Sequence, residues 1–209
     1  MKKRQLNKAL KEVGEFFIHF VLYYASFLYI WLTYEHLYNH FVLESAMGLY
    51  AWHIDMDIVA TQVIDKFKIE FMLSNEYFRS LGAPPSPFTP YANSITFNIP
   101  MTLAGVVALI IMRGKSYKDY LLIVHVLLLL FMVHFIYIYT YAIGNIVKAS
   151  EVQPILQQYL AQFSLIFKDA SYYEMISIFI RLYVVRFEPF IMMVYVWGFL
   201  KSSKVAHNE

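Results

Sequence analysis

Four stretches of this chain, 14–34, 95–112, 120–147 and 181–200, are long, apolar and almost free of charge. Each approaches the roughly 20 residues of helix that cross a hydrocarbon core of about 30 Å at about 1.5 Å rise per residue. The pattern predicts an all-α membrane protein with four transmembrane helices in one membrane domain. Composition agrees: with 59% hydrophobic, 19% aromatic and only 15% charged residues, a soluble domain would aggregate. The basic start, Met1 to Glu15, resembles the opening of a signal peptide, but the bulky run from Phe16 to Tyr34 exceeds a cleavable apolar core and lacks a small-residue cleavage pattern, so a retained anchor is expected.

The basic residues set the expected orientation. Lys2, Lys3, Arg4, Lys8 and Lys11 precede the first span, Arg113, Lys115 and Lys118 follow the second, and Lys201 and Lys204 follow the fourth. All fall on one side of a four-span chain. By the positive-inside rule that side is the cytoplasm, with both termini inside and outer segments at 35–94 and 148–180. A multi-pass protein of the bacterial inner membrane is the expected location. The basic groups suit anionic lipid, at about 1 kcal/mol each near the surface, and require no nucleic acid. Tyr23, Tyr24, Tyr29, Trp31 and Tyr34 in the first span, and Tyr137, Tyr139 and Tyr141 in the third, are placed to form an interfacial aromatic belt.

The first outer segment has its own order. Tyr38 to Ala51 suggests an amphipathic helix on the outer leaflet. Alternation in Phe67, Ile69 and Phe71, after the β-branched stretch Ile54 to Ile64, predicts a short β-hairpin turning at Asp65 and Lys66. Pro84, Pro85, Pro87 and Pro90 predict an extended strap that returns the chain to the membrane. In the second outer segment, Pro154 opens a helix whose stripe comprises Ile155, Leu156, Leu160, Phe163 and Phe167.

Ionisable and polar residues inside spans are costly, which makes them the natural candidates for function. Arg186 and Glu188 lie just before Pro189; two apart on a helix, they point to different sides, and each needs a partner elsewhere. His134, at mid-depth, is one such partner, and Asn98 stands at the opening of the second span. His19 and His125 fall at similar depth in different helices, the arrangement of a bis-His haem b, although small residues that would admit a macrocycle are sparse in the first span. Outside, His36 and His40 share a helical face with Glu44 and offer a metal site without a catalytic zinc motif. The absence of cysteine excludes thiol nucleophiles, disulfides and Cys-ligated metals. No nucleophile, base and orienting group can be assembled, so no catalytic residue is assigned.

The segment Ala92-Asn93-Ser94-Ile95-Thr96-Phe97-Asn98-Ile99-Pro100-Met101, followed by Leu103 to Ile111, the basic turn Arg113-Gly114-Lys115 and the late Glu188-Pro189-Phe190-Ile191, resembles exosortase-associated small membrane proteins of the exosortase H-associated type. Asn98 departs from the pattern, where Gly or Tyr is expected. The resemblance implies a non-enzymatic accessory subunit that works beside a membrane sorting enzyme such as an exosortase. The other function class left open is a haem b or metal-binding subunit of a redox complex.

Overall fold

A computed structural model describes residues 2–92, 96–113, 117–163 and 170–206. Helix α1, Lys2–His53, runs unbroken for 52 residues, about 78 Å at ~1.5 Å per residue. The surface helix expected at Tyr38 to Ala51 is therefore the continuation of the first span. Between Tyr34 and Tyr38 the sequence Glu35-His36-Leu37 holds no Pro or Gly to stop a helix, and the buried face, Glu35, Asn39, Val42, Leu43, Ala46, Met47 and Tyr50, keeps helical spacing throughout. Asp55 ends the helix. Its left-handed backbone (φ 51°) lets the Met56 N–H donate to the Ala51 carbonyl at 2.9 Å and the Asp55 N–H to the Trp52 carbonyl at 3.3 Å, the paired bonds of a Schellman cap.

The hairpin forms where the alternation predicts: β1, Asp57–Asp65, pairs antiparallel with β2, Lys68–Ser74, but the turn is Lys66 and Phe67 rather than Asp65 and Lys66, because Asp65 pairs with Lys68. Ile69, Phe71 and Leu73 of β2 point into the core. After the short α2, Glu76–Ser80, the proline-rich strap becomes a third strand, β3, Ser86–Phe88, with Phe71 opposite Phe88 and Leu73 opposite Ser86. Polyproline and β backbones are neighbours in conformation, and Pro87 is tolerated because β3 is an edge strand, in the order β1-β2-β3.

The remaining elements are α3, Ile99–Arg113; a 3-10 turn, Tyr117–Tyr120; α4, Leu121–Ser150; α5, Pro154–Leu160, with Pro154 in its first turn; α6, Ala170–Phe179; a π-helical turn, Ile180–Val184; and α7, Val185–Ala206. A 3-10 turn at Ala161–Phe163 follows α5, and Phe167 of the expected stripe lies outside the described residues, as do Asn93, Ser94, Ile95, Gly114 and Lys115 of the family-like segments. The fourth span was expected to start at Arg181. Instead α6 runs through the π turn into α7, where the Val185 N–H reaches the Ile180 carbonyl and Pro189 lies in the first turns of α7.

Among the described residues only α1 and α4 are both long and apolar enough to cross a bilayer. The expected four spans are not met on that measure. Helix α3 has 15 residues, about 22 Å at ~1.5 Å each, because it starts only at Ile99 after the turn at Phe97 and Asn98. Helix α7 has 22 residues but carries Arg186, Glu188, Lys201 and Lys204.

The chain forms two compact units. A helical unit comprises Met1–Tyr34, Phe97–Leu130 and Arg186–Glu209; a mixed unit, Glu35–Thr96 and Phe131–Val185, contains the sheet. The mixed unit's core gathers Leu43, Met47, Tyr50, Ile54, Phe71, Ile138 and Ile143. In the helical unit, Ala104, Gly105 and Ala108 of α3 are buried, and a side chain added at Gly105 would strike the Met193 sulfur of α7. The α1 residues of this unit remain largely uncovered, with Phe17, Ile18, Val21, Leu22 and Leu32 each more than half exposed. So much apolar surface on every side of a helix calls for lipid or protein around it.

Candidate functional site

The strongest polar arrangement lies in the mixed unit, where α1 ends. The Schellman cap leaves the carbonyls of Ile54 and Asp55 pointing toward α5, and the Tyr159 hydroxyl meets them at 2.6 and 3.0 Å. Asn75 completes the node: its amide donates to the Asp55 carbonyl at 2.9 Å and to the Tyr159 oxygen at 2.7 Å, while its Oδ1 accepts from the Phe78 N–H at 3.1 Å and caps α2. Every polar atom of the Asn75 side chain is used. Tyr77 and Phe78 close over the Tyr159 ring at 5.5 and 5.0 Å between centroids. Burial, reinforced by the Asp55 carboxylate and opposed by the Asn75 N–H, pushes the Tyr159 hydroxyl up to about 12, so it stays protonated as the donor that the two carbonyls require.

Phe78 also lines a groove of about 600 Å³, bounded by Pro84, Pro85, Pro87 and Phe88 on one side and by Ile146, Ile155 and Leu156 on the other, with Asn145 and Gln153 as polar edges. Apolar walls with a few amides suit an extended apolar peptide or an acyl chain. A smaller cleft in the same unit, about 310 Å³, is lined by Lys148 and Arg181 against Glu174, with Tyr137, Tyr141, Asn145 and Ser177. Two cations facing one carboxylate favour an anionic group such as a lipid phosphate.

The hairpin tip is fastened to α1. Lys66 forms an ion pair with the buried Glu35, the Asn39 amide donates to the Lys66 carbonyl at 3.3 Å, and the His40 ring contacts the Asp65 carbonyl at 3.2 Å. His40 is thus engaged at the hairpin. Its ring stands edge-on to His36 at 6.4 Å, and Glu44 is exposed. Among the described residues no three His, Asp or Glu side chains converge as metal ligands.

The intramembrane candidates divide between the units. In the helical unit Asn98 and Glu188 come together through Thr102, whose hydroxyl lies 3.0 Å from the Asn98 carbonyl and 3.2 Å from Glu188 Oε1. Glu188 is 1% exposed, whereas Arg186, two residues away, is exposed. His134, fully buried, belongs to the mixed unit, with its Nδ1 at 2.8 Å from the Tyr38 hydroxyl. His19 stacks on Tyr23 at 6.4 Å, and His125 is exposed. Sequence reasoning passed over Thr102, Tyr38, Asn75, Tyr159 and the His53–Tyr139 pair, in which the two rings stack at 5.9 Å and the hydroxyl meets Nδ1. Asn75 carried a readable signal, since Asn before Glu76-Tyr77-Phe78 is an N-cap pattern. The partners of Tyr38 and Tyr159 are 96 and up to 105 residues distant in sequence, so no local pattern announced them.

The chain matches no protein-family model, no curated protein and no solved structure.

Proposed function

We propose that this chain is a non-enzymatic accessory subunit of a bacterial inner-membrane assembly, of the kind that serves an exosortase-type sorting enzyme, and that the mixed unit is its outer docking element. The observation that carries this reading is the apolar groove walled by the proline-rich segment and α5. The candidate polar residues support it. The Thr102 hydroxyl meets Glu188 and His134 meets Tyr38, so these side chains hold helices together.

A multi-pass arrangement with both termini inside is part of the proposal. Helices α1 and α4 cross the bilayer, and α3 and α7 cross with them as a pair that turns Glu188 and Thr102 inward. Glu188 faces Thr102 and Gly105 accommodates Met193, while the exposed Arg186 extends its long side chain toward the headgroups. Arg113, after the second apolar run, pairs with Glu12, before the first, at 2.7 Å, which favours placing those two ends at one membrane face. Membrane lipid is the second partner, with the Lys148–Arg181 cleft suited to headgroups.

The test is a photo-crosslinking amino acid at Pro85 or Ile155 in the native host. The expected product is an adduct with an integral-membrane sorting enzyme; lipid adducts alone, or none, from both positions would overturn the proposal. A Soret band in the purified protein that His125→Ala abolishes would replace it with the haem b reading.

A further inference from the structure

The two edges of the sheet differ. Strand β3 ends it with Pro87, whose missing N–H discourages further pairing, while β1 ends it with nine residues that contain no Pro, Lys or Arg. Its side chains are uncovered as well: Val59, Val63 and Ile64 are 45%, 58% and 50% exposed. Among the described residues β1 has no strand partner other than β2.

The sequence of β1 says what suits that edge. Asp57-Ile58-Val59-Ala60-Thr61-Gln62-Val63-Ile64-Asp65 reads almost the same in reverse, with Thr61 at its centre and Ala60 and Gln62 as the one unlike pair. An antiparallel pair of identical strands around a two-fold axis sets each residue against its mirror position, so only a palindromic strand places like against like. Here Val59 would meet Val63, Ile58 would meet Ile64, and Thr61 would meet Thr61. These are the β-branched pairs that stabilise sheets. The register shifts against β2 fall at Val59 and Ile64 themselves and bracket Ala60 to Val63, so the regular stretch includes Thr61. Asp57 would oppose Asp65, and the Arg79 guanidinium, 2.9 Å from Asp57, supplies the compensating charge.

We infer that β1 is a homodimerisation strand: two copies of this chain join β1 to β1, antiparallel and centred on Thr61, to form a continuous six-stranded sheet. The occupant of the edge is a second copy, held at high local concentration by confinement to the same membrane.

The absence of native cysteine makes the test direct. Thr61→Cys is expected to form an intermolecular disulfide in native membranes under mild oxidation at least tenfold faster than Val152→Cys, an exposed control elsewhere in the same unit. Val59→Cys and Val63→Cys should crosslink poorly alone and efficiently when differently tagged copies are mixed, because each faces the other. Adding Val59→Lys and Val63→Lys to the Thr61→Cys chain should remove the crosslink, while light scattering of the otherwise native chain in detergent gives the mass of two copies. A Thr61→Cys rate equal to the control, or Val59→Cys alone matching the mixture, would overturn the register. Monomeric mass for the native chain together with no Thr61→Cys crosslink in membranes would overturn the dimer.

Discussion

In the helical unit a buried carboxylate, Glu188, meets a threonine hydroxyl across two closely packed helices, and Ala104, Gly105 and Ala108 lie among buried aliphatic side chains. In the mixed unit polar contacts come in connected sets, Asn75 with Tyr159 and two carbonyls, and Lys66 with Glu35 beside Asn39 and His40, embedded among aromatic rings. The difference follows from what each set must accomplish. Helices satisfy their own backbone groups, so α3 and α7 need only close approach and one or two polar contacts between them. A helix end, a hairpin turn and a strand of prolines leave backbone groups open, and side chains must close them.

The comparison fails first at Asn75, if it fails. Asn75→Ala removes the cap of α2 and leaves the Asp55 carbonyl with one donor fewer, at a cost of about 3 kcal/mol. Hydrogen exchange should then rise in β2, α2 and α5, and exchange unchanged in those elements would show that the node is dispensable. Next is Lys66→Met, which strands Glu35 in a buried position and should cost about 2 kcal/mol, with much of the loss recovered by Glu35→Gln in the same chain. Thermal unfolding in detergent gives both values, and no recovery in the double variant would mean that charge pairing is irrelevant there. In the helical unit, Gly105→Leu presses on Met193, and because that side chain is flexible the expected cost is only about 1 kcal/mol. A loss larger than that of Asn75→Ala would reverse the ranking of the two units.

What was legible in advance was periodic. Alternation around Ile69 located the hairpin, with its turn one residue later than expected, Pro154 located the start of α5, and the apolar runs located α1 and α4. What was misread turned on boundaries and on pairing at a distance. The break assumed after Tyr34 does not exist, because nothing in Glu35-His36-Leu37 ends a helix; the true stop is Asp55, whose left-handed backbone is an uncommon use of a residue other than Gly. Apolar length suggested one span from 95, yet the turn at Phe97 and Asn98 separates the helical Thr96 from α3, and apolar content is not a helix boundary. The strap at Pro84 to Pro90 reads as extended, and at Ser86–Phe88 it also pairs with β2 as an edge strand, where the missing N–H of Pro87 is tolerated. Glu188 was flagged for its polarity, but that Thr102 meets it depends on how two helices pack, which one sequence does not encode locally.

The smallest expected effect concerns pH and isolates Tyr159 from the rest of its node. Its hydroxyl is raised from an ordinary value near 10 to about 12, first by burial and then by the Asp55 carboxylate. A group whose folded value lies above its unfolded one stabilises the fold fully below the unfolded value; here the unfolded chain releases the proton near pH 10 while the folded chain still holds it. From about pH 10 to about pH 12 the unfolded chain binds fewer protons, so stability falls as pH rises, and it changes little on this account below pH 10. Tyr159→Phe removes the titrating group and leaves the other tyrosines in place. Its overall stability is lower at neutral pH, but the decline across this window should be shallower than in the native chain, and that difference in slope is the measurement. Parallel slopes would mean that the Tyr159 hydroxyl titrates as freely as one in water, and the hydrogen bonds assigned to it at the end of α1 would then have to be withdrawn.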